Sequence, residues 1–246
     1  CLITAGGPQS NHCRVTAAFA ARHGLRCVLV TNRGPDGDPT GNALLHRLFG
    51  AEIVAVDERT ERAERMDSVT AELRAEGESP LVIPIGASTP LGSLGYARAA
   101  IELCEQLDSL GDGCSETLVF SASSSGGTLA GLILGLALLG RSDVRLFGVS
   151  ADAPATELDN VCHALAEDAA SELLGTSIDP SAVRFASIDT QVGKGYGIPT
   201  AASREATELF GHHAGIVLDP TYTSKAAAAL IAHVRHLGVQ DHQRIV

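Results

Sequence analysis

The sequence contains no tryptophan and a single methionine, and aromatic residues make up only 4% of it. Lysine is almost as scarce: Lys194 and Lys225 carry the chain's only ammonium side chains, and every other basic residue is arginine or histidine. Few large rings and abundant glycine and alanine suit close helix-on-sheet packing and exclude a fibrous or disulfide-stapled protein. Cys1, Cys13, Cys27, Cys104, Cys114 and Cys162 are scattered, with no C-x-x-C pair and no zinc-ligand spacing. They read as reduced thiols of a cytoplasmic protein. No apolar run reaches the ~18 residues that span a bilayer, and no basic segment precedes the first apolar run as in a signal peptide. The formal charge of -11 disfavours nucleic acid and anionic membranes as partners. It leaves a small anionic ligand open, because local dipoles hold such a ligand.

What is present is 246 residues, 45% of them apolar, enough for one large α/β domain or two smaller ones. Short apolar runs at 2–4, 26–31, 52–56, 81–84, 117–121, 144–149 and 183–188 predict strands. Helical patterns fill 11–23, 42–49, 60–76, 92–109, 127–139, 153–174, 203–211 and 222–237. Such alternation predicts right-handed βαβ units and an α/β fold with open, twisted, mostly parallel sheets flanked by helices. Ser10 is placed to cap the first helix, and Gly24, Gly50 and Gly77 stand where left-handed helix ends are expected. The turn-rich SLGDGCS stretch predicts a boundary between a small α/β domain, 1–109, and a larger cofactor-binding one, 110–246. The chain opens inside an apolar run and closes on Arg244-Ile245-Val246, which reads as the start of a strand. The expectation is a fragment truncated at both ends.

Ligands of parallel sheets bind beyond the carboxyl ends of the strands, so the loops there matter most. Ser121-Ala122-Ser123-Ser124-Ser125-Gly126-Gly127-Thr128 leads from a strand into a helix. Glycine lets backbone N–H groups approach an anion, hydroxyls add donors, and the helix N-terminus adds positive potential. A phosphate monoester fits; neither a P-loop lysine nor a G-x-G-x-x-G follows. The plain alternative is a tight turn that binds nothing. Ala5-Gly6-Gly7-Pro8-Gln9-Ser10-Asn11-His12 gathers polar side chains at another strand-to-helix turn, suited to a carboxylate, although Ser10 alone could serve as a cap. Tyr196, between glycines in GKGYGIPT, and Tyr222, in DPTYTSK, place two of the three tyrosines in loops. His212, His213, His233, His236 and His242 tempt a metal reading, but no carboxylate or cysteine completes a site, so no metal is expected. No nucleophile elbow supports a hydrolase.

Together these loops resemble one family. GGPQSNHCR, IPIGASTPLGSLGY, SASSSGGTLAGL, GYGIPT and LDPTYTSK follow, in order from Cys1 to Val246, the motifs of the D-cysteine desulfhydrase and 1-aminocyclopropane-1-carboxylate deaminase family. That family has the tryptophan-synthase-β-like fold and depends on pyridoxal 5'-phosphate. The resemblance implies that Ser124, Ser125, Gly126, Gly127 and Thr128 hold the cofactor phosphate. Asn11 would hydrogen-bond near the pyridine hydroxyl. Ser10, with Gln9 and His12 around it, would receive the substrate carboxylate or assist proton transfer. Tyr196 and Tyr222 would flank a small amino-acid substrate and tune its acid–base steps, and the enzyme would be a cytoplasmic homodimer.

The family's Schiff-base lysine lies upstream of the Gln-Ser-Asn loop, before the strand that opens this chain. Neither Lys194 nor Lys225 matches it, so the chain as given is expected to bind the cofactor weakly and not to turn over. In the deaminases an acidic residue follows the motif tyrosine and keeps the ring nitrogen protonated; here Thr223 stands there. A hydroxyl makes a weaker electron sink, which suffices when thiolate leaves the β-carbon. The expected reaction is therefore β-elimination from D-cysteine to pyruvate, ammonia and hydrogen sulfide. L-cysteate sulfo-lyase and 1-aminocyclopropane-1-carboxylate deaminase activities stay open, as does a non-catalytic protein that binds a phosphate ligand.

Overall fold

Continuous apolar runs can be buried on both faces only where helices cover a parallel sheet from either side. The computed structural model, which describes residues 1–34 and 37–246, has two such sheets, each within its own unit: Cys1–Ala87 and Ser88–Val246. Every strand pair is parallel.

In the first unit, β1 (Leu2–Gly6), β2 (Cys27–Asn32), β3 (Glu52–Val56) and β4 (Leu81–Val82) lie in the order β3-β2-β1-β4. Around them run α1 (Asn11–Arg22), α2 (Gly41–Leu48) and α3 (Glu61–Ala75). Side chains alternate across the sheet. Ile3, Ala5, Val28 and Val30 pack with Met66, Val69 and Leu73 of α3. Leu2, Cys27 and Leu29 turn the other way, onto Cys13, Ala17 and Ala20 of α1. The glycines expected at helix ends adopt left-handed φ: +64° at Gly24, +75° at Gly50 and +87° at Gly77.

The second unit repeats this topology. It comprises α4 (Pro90–Leu110), β5 (Glu116–Ser123), α5 (Gly127–Leu139), β6 (Val144–Ser150), α6 (Ala155–Asp168), β7 (Arg184–Ile188), α7 (Ala201–Ala214), α8 (Thr223–Leu237) and β8 (Gln243–Ile245). The strand order is β7-β6-β5-β8. Val119, Val144 and Leu146 pack under α4, α5 and α6, while Val149, Ala226 and Ala229 bring α8 onto the opposite face. The helix expected to run over 153–174 ends at Asp168 and winds on as a π turn, Ala169–Leu173.

The expected division after residue 109 differs from the observed one at Ala87/Ser88 by the whole of α4. Glycine explains the difference. A Cβ at Gly135 would lie 2.6 Å from both Ala97 O and Ala100 Cβ, so α4 and α5 approach almost backbone to backbone. Ala97, Ala100, Cys104 and Leu107 of α4 thereby join the core of the second unit. The 109–115 stretch is a connector within that unit.

Candidate functional site

β1 and β5 hold equivalent places, each the strand at which the order reverses, and ligands of open α/β sheets bind beyond such strands. Both polar loops singled out in the sequence follow these strands directly.

After β5, the chain turns through Ser124 and Ser125 into α5. The helix has a glycine N-cap, Gly126 at φ +86°, with no side chain to take up the first amides. First-turn amides have no carbonyl partner within their helix, and here they face the loop as donors. Ser88 accepts the Gly127 N–H at 3.1 Å and donates to Ser125 Oγ at 2.7 Å. Glycine at 127 is required by this approach, since a Cβ would stand 2.8 Å from Ser88 Oγ. Thr128 is the second residue of the helix. Amides, the hydroxyls of Ser124, Ser125 and Thr128, and the helix dipole form a donor set that fits a phosphate monoester without a basic side chain. Ser88 lies outside the loop motif, and its part at the helix start depends on a fold contact between segments far apart in sequence.

After β1, the loop is held by its own polar groups. Ser10 caps α1, its Oγ accepting the Cys13 N–H at 3.2 Å. That bond leaves the Ser10 hydroxyl proton for another acceptor. Thr4 Oγ1 donates its one proton to Ile83 O at 2.8 Å and lies 2.7 Å from His12 Nε2. His12 must therefore be the donor in that contact, which fixes Nε2–H and leaves Nδ1 with the lone pair. Burial lowers the His12 pKa, so the neutral ring is favoured.

Gln9 points elsewhere than toward a free ligand position. Its Nε2 donates to Thr40 O at 3.0 Å and its Oε1 accepts the Asn42 N–H at 2.9 Å. Asn42 Nδ2 also donates to Gln9 O at 3.0 Å and to Asn11 Oδ1 at 2.9 Å. The Asn11 amide is thereby oriented with Oδ1 toward Asn42. Asn42 and Thr4 orient the expected site residues, and sequence reading passed over both.

The two loop tyrosines come together in the second unit. Tyr196 Oη and Tyr222 Oη lie 2.5 Å apart, with ring centroids 5.8 Å apart and planes at 77°. Burial raises the Tyr222 pKa, and Tyr196, Asp152 and Asp219 push it further up, so the phenol keeps its proton. Asp219 wraps the start of α8, its carboxylate accepting the N–H groups of Thr221, Tyr222 and Thr223, each at 2.9 Å. The Thr223 hydroxyl donates to Asp219 Oδ1 and accepts the Asp219 N–H, both at 2.8 Å. Thr223 thus presents a neutral oxygen with one lone pair remaining. Lys225 is fully buried, whereas Lys194 is exposed on its loop. Among the histidines set aside as metal ligands, His233 packs edge-on to Phe120, with ring centroids 5.5 Å apart.

Comparison with known proteins agrees with this chemistry. The whole chain, residues 1–246, matches the family described as pyridoxal-phosphate dependent enzyme. Over 236 residues it is 38% identical to a D-cysteine desulfhydrase of Salmonella typhi, covering 94% of this chain and 69% of the relative. The D-cysteine desulfhydrase of Salmonella enteritidis matches with the same identity and coverage. Among solved structures, an ACC deaminase homologue superposes with a TM-score of 0.84 at 32% identity, over 99% of this chain and 71% of the other. A cysteine synthase of Entamoeba histolytica, 15% identical, shares the fold with a TM-score of 0.62 over 100% and 66% of the two chains. The chain belongs to the pyridoxal-phosphate dependent enzymes, within the D-cysteine desulfhydrase and ACC deaminase family, and its cofactor is pyridoxal 5'-phosphate.

Proposed function

We propose that this enzyme carries out β-elimination on D-cysteine, converting it with water to pyruvate, ammonia and hydrogen sulfide. The observation that carries the choice is Thr223. The residue after Tyr222 offers a neutral oxygen whose proton is committed to Asp219, where a deaminase of the family has a carboxylate. Without a negative charge there, protonation of the ring nitrogen gains no electrostatic support. The weaker electron sink that results matches a substrate with a good leaving group on its β-carbon. The D-cysteine desulfhydrases at 38% identity support the same choice.

In this reading Ser124, Ser125, Gly126, Gly127 and Thr128 hold the cofactor phosphate through amides and hydroxyls, and Ser88 positions the loop. Asn11, its Oδ1 taken by Asn42, would donate its NH2 to the pyridine hydroxyl. When bound, pyridoxal phosphate supplies the electron sink that makes the substrate α-proton acidic and lets the β-substituent depart. Ser10 would donate a hydrogen bond from its hydroxyl to the substrate carboxylate. His12, neutral with Nδ1 as its acceptor, would take a proton from the substrate's amino group, and Gln9 positions the loop through Thr40 and Asn42. Within the tyrosine pair one hydroxyl donates to the other, and Tyr222, which keeps its proton, would be available to protonate a leaving sulfur. Neither lysine in residues 1–246 is assigned the α-proton. A cytoplasmic homodimer completes the proposal.

Among the described residues no helix is long and apolar enough to cross a membrane. The test is product analysis on an enzyme that carries this span together with its covalent lysine, offered D-cysteine, L-cysteate and 1-aminocyclopropane-1-carboxylate in turn. Sulfide and pyruvate from D-cysteine are the expected result. Sulfite from L-cysteate, or 2-oxobutanoate from the cyclopropane, would replace the assignment by the sulfo-lyase or the deaminase. No product from any of them, with phosphate ligands still bound, would leave a binding protein.

A further inference from the structure

Lys225 is the largest fully buried side chain among the described residues, with no solvent exposure. It lies in the first turn of α8, where the helix dipole opposes a cation. A buried ammonium persists only where hydrogen bonds replace its water. Its Nζ has three backbone carbonyls in reach: Ala151 at 3.0 Å, Val192 at 2.9 Å and Gly195 at 3.0 Å. Carbonyl oxygens only accept, and an ammonium has three protons to give. A neutral amine would turn its lone pair onto one of these oxygens, so the cation is the form the geometry holds. Burial pulls the Lys225 pKa down and Asp152 supports the charge.

The three carbonyls belong to the chemistry-bearing end of the sheet. Ala151 follows β6, while Val192 and Gly195 lie in the loop after β7, immediately before Tyr196. That loop contains Gly193, Gly195 and Gly197 at φ +64°, +131° and +74°, a backbone with many alternative conformations when unfastened. Its own turn bonds to Gly195 and Ile198 are 3.3 Å long. Tyr222 stands three residues before Lys225 at the start of the same helix.

We propose that Lys225 is the positioning residue of the tyrosine pair: its buried ammonium clamps the 192–195 backbone to the start of α8 and so sets the Tyr196 hydroxyl against that of Tyr222. The same three bonds close this lysine to covalent attachment of the cofactor. The catalytic meaning of the clamp rests on the proposed function above, but its existence does not, and it is tested without cofactor.

The experiment uses Tyr96→Phe as background, so that Tyr196 and Tyr222 are the only phenols in the chain. Ultraviolet titration and hydrogen exchange then compare Lys225→Met with its parent. Removing a positive charge would by itself raise a nearby phenol pKa; releasing the loop exposes the phenols and lowers it. The expected result is a downward shift of the Tyr222 transition, together with ~100-fold faster exchange at the Gly195 and Ile198 amides. An unchanged or raised transition with unchanged exchange would overturn the clamp. Should Lys225→Met not fold, the wild-type fold carries the test through Lys194→Arg, which leaves Lys225 as the single lysine. A slowly exchanging ammonium signal from 15N-labelled lysine, and resistance to reductive methylation in the native state, are expected. Methylation as fast as that of Lys194 in the parent chain would overturn the proposal.

Discussion

The two units share one topology, yet their ligand-facing loops are built in opposite ways. After β1, polar side chains organise the turn: Ser10 caps its own helix, Thr4 fixes the His12 tautomer, and Asn42 orients Asn11. After β5, the organisation is backbone: a glycine N-cap leaves the first amides of α5 facing the loop, and the hydroxyl at the helix start comes from Ser88. A loop that satisfies its own amides offers side chains, which can discriminate a substrate and move protons. A loop whose N-cap has no side chain of its own offers fixed partial charge, which suits an anion of constant shape. The same strand reversal thus carries two kinds of loop, and N-cap chemistry separates them.

This contrast can be broken by substitution. The largest effect is expected for Gly127→Val, which places a side chain on Ser88 Oγ and within 3.1 Å of Ser88 Cα. Loss of ~100-fold in pyridoxal phosphate affinity by equilibrium dialysis is expected, as for an ångström-scale misplacement of binding groups. Binding equal to wild type would mean that the β5 loop is not the anion cradle.

Protons separate the units next. Burial lowers the pKa of His12 and of His46, both in the first unit. As pH falls, the unfolded chain takes up these protons first, so stability is complete above pH ~6.5 and is lost as the pH drops through and below that value. Tyr222 shifts the other way. Its raised pKa keeps the folded phenol protonated while the unfolded one ionises, so stability present below pH ~10 is lost above it. All three tyrosines lie beyond residue 88, so their fluorescence follows the second unit alone. Hydrogen exchange at β1 and β2 should show acid weakening that His12→Gln and His46→Asn reduce, while tyrosine emission should register alkaline weakening that Tyr222→Phe reduces. Equal acid sensitivity in both units would remove the distinction.

Ser10→Ala should cost ~1 kcal/mol in the chemical denaturation midpoint, the usual loss for an N-cap, with phosphate affinity unchanged. A parallel loss of phosphate affinity would contradict the assignment of phosphate to the β5 loop. The smallest effect is expected for Asn42→Ala, about 0.5 kcal/mol in stability. Its signature is the Asn11 side-chain amide resonance, which should broaden as the 2.9 Å bond to Asn42 is removed; an unchanged resonance would show that Asn11 is oriented some other way.

How much of this was legible in the chain follows from the range of the interactions involved. The run at 52–56 became β3 residue for residue, and Ser10 and the helix-ending glycines act as local rules require, because caps and apolar periodicity are settled within a turn of chain. The serine–glycine loop after β5 and the tyrosine motifs were legible as residue types. That the tyrosines touch was not, since Tyr196 and Tyr222 lie on different loops. The division of the chain was misplaced by one helix. Composition marks a connector near 111, whereas the units are defined by which surfaces interlock, and Gly135 against Ala97 and Ala100 is a contact across sequence.

By itself, then, the sequence determined the strand–helix alternation, the helix ends, the loops that bear chemistry and the family they resemble, all carried by short-range patterns. Only the tertiary structure decided where α4 belongs, that Gln9 holds a turn, which nitrogen of His12 bears the proton, that Ser88 serves the start of α5, and that a lone buried lysine fastens the tyrosine pair. Each of those depends on partners tens of residues away, and a hydrogen bond or close contact over that distance exists only once the chain has folded.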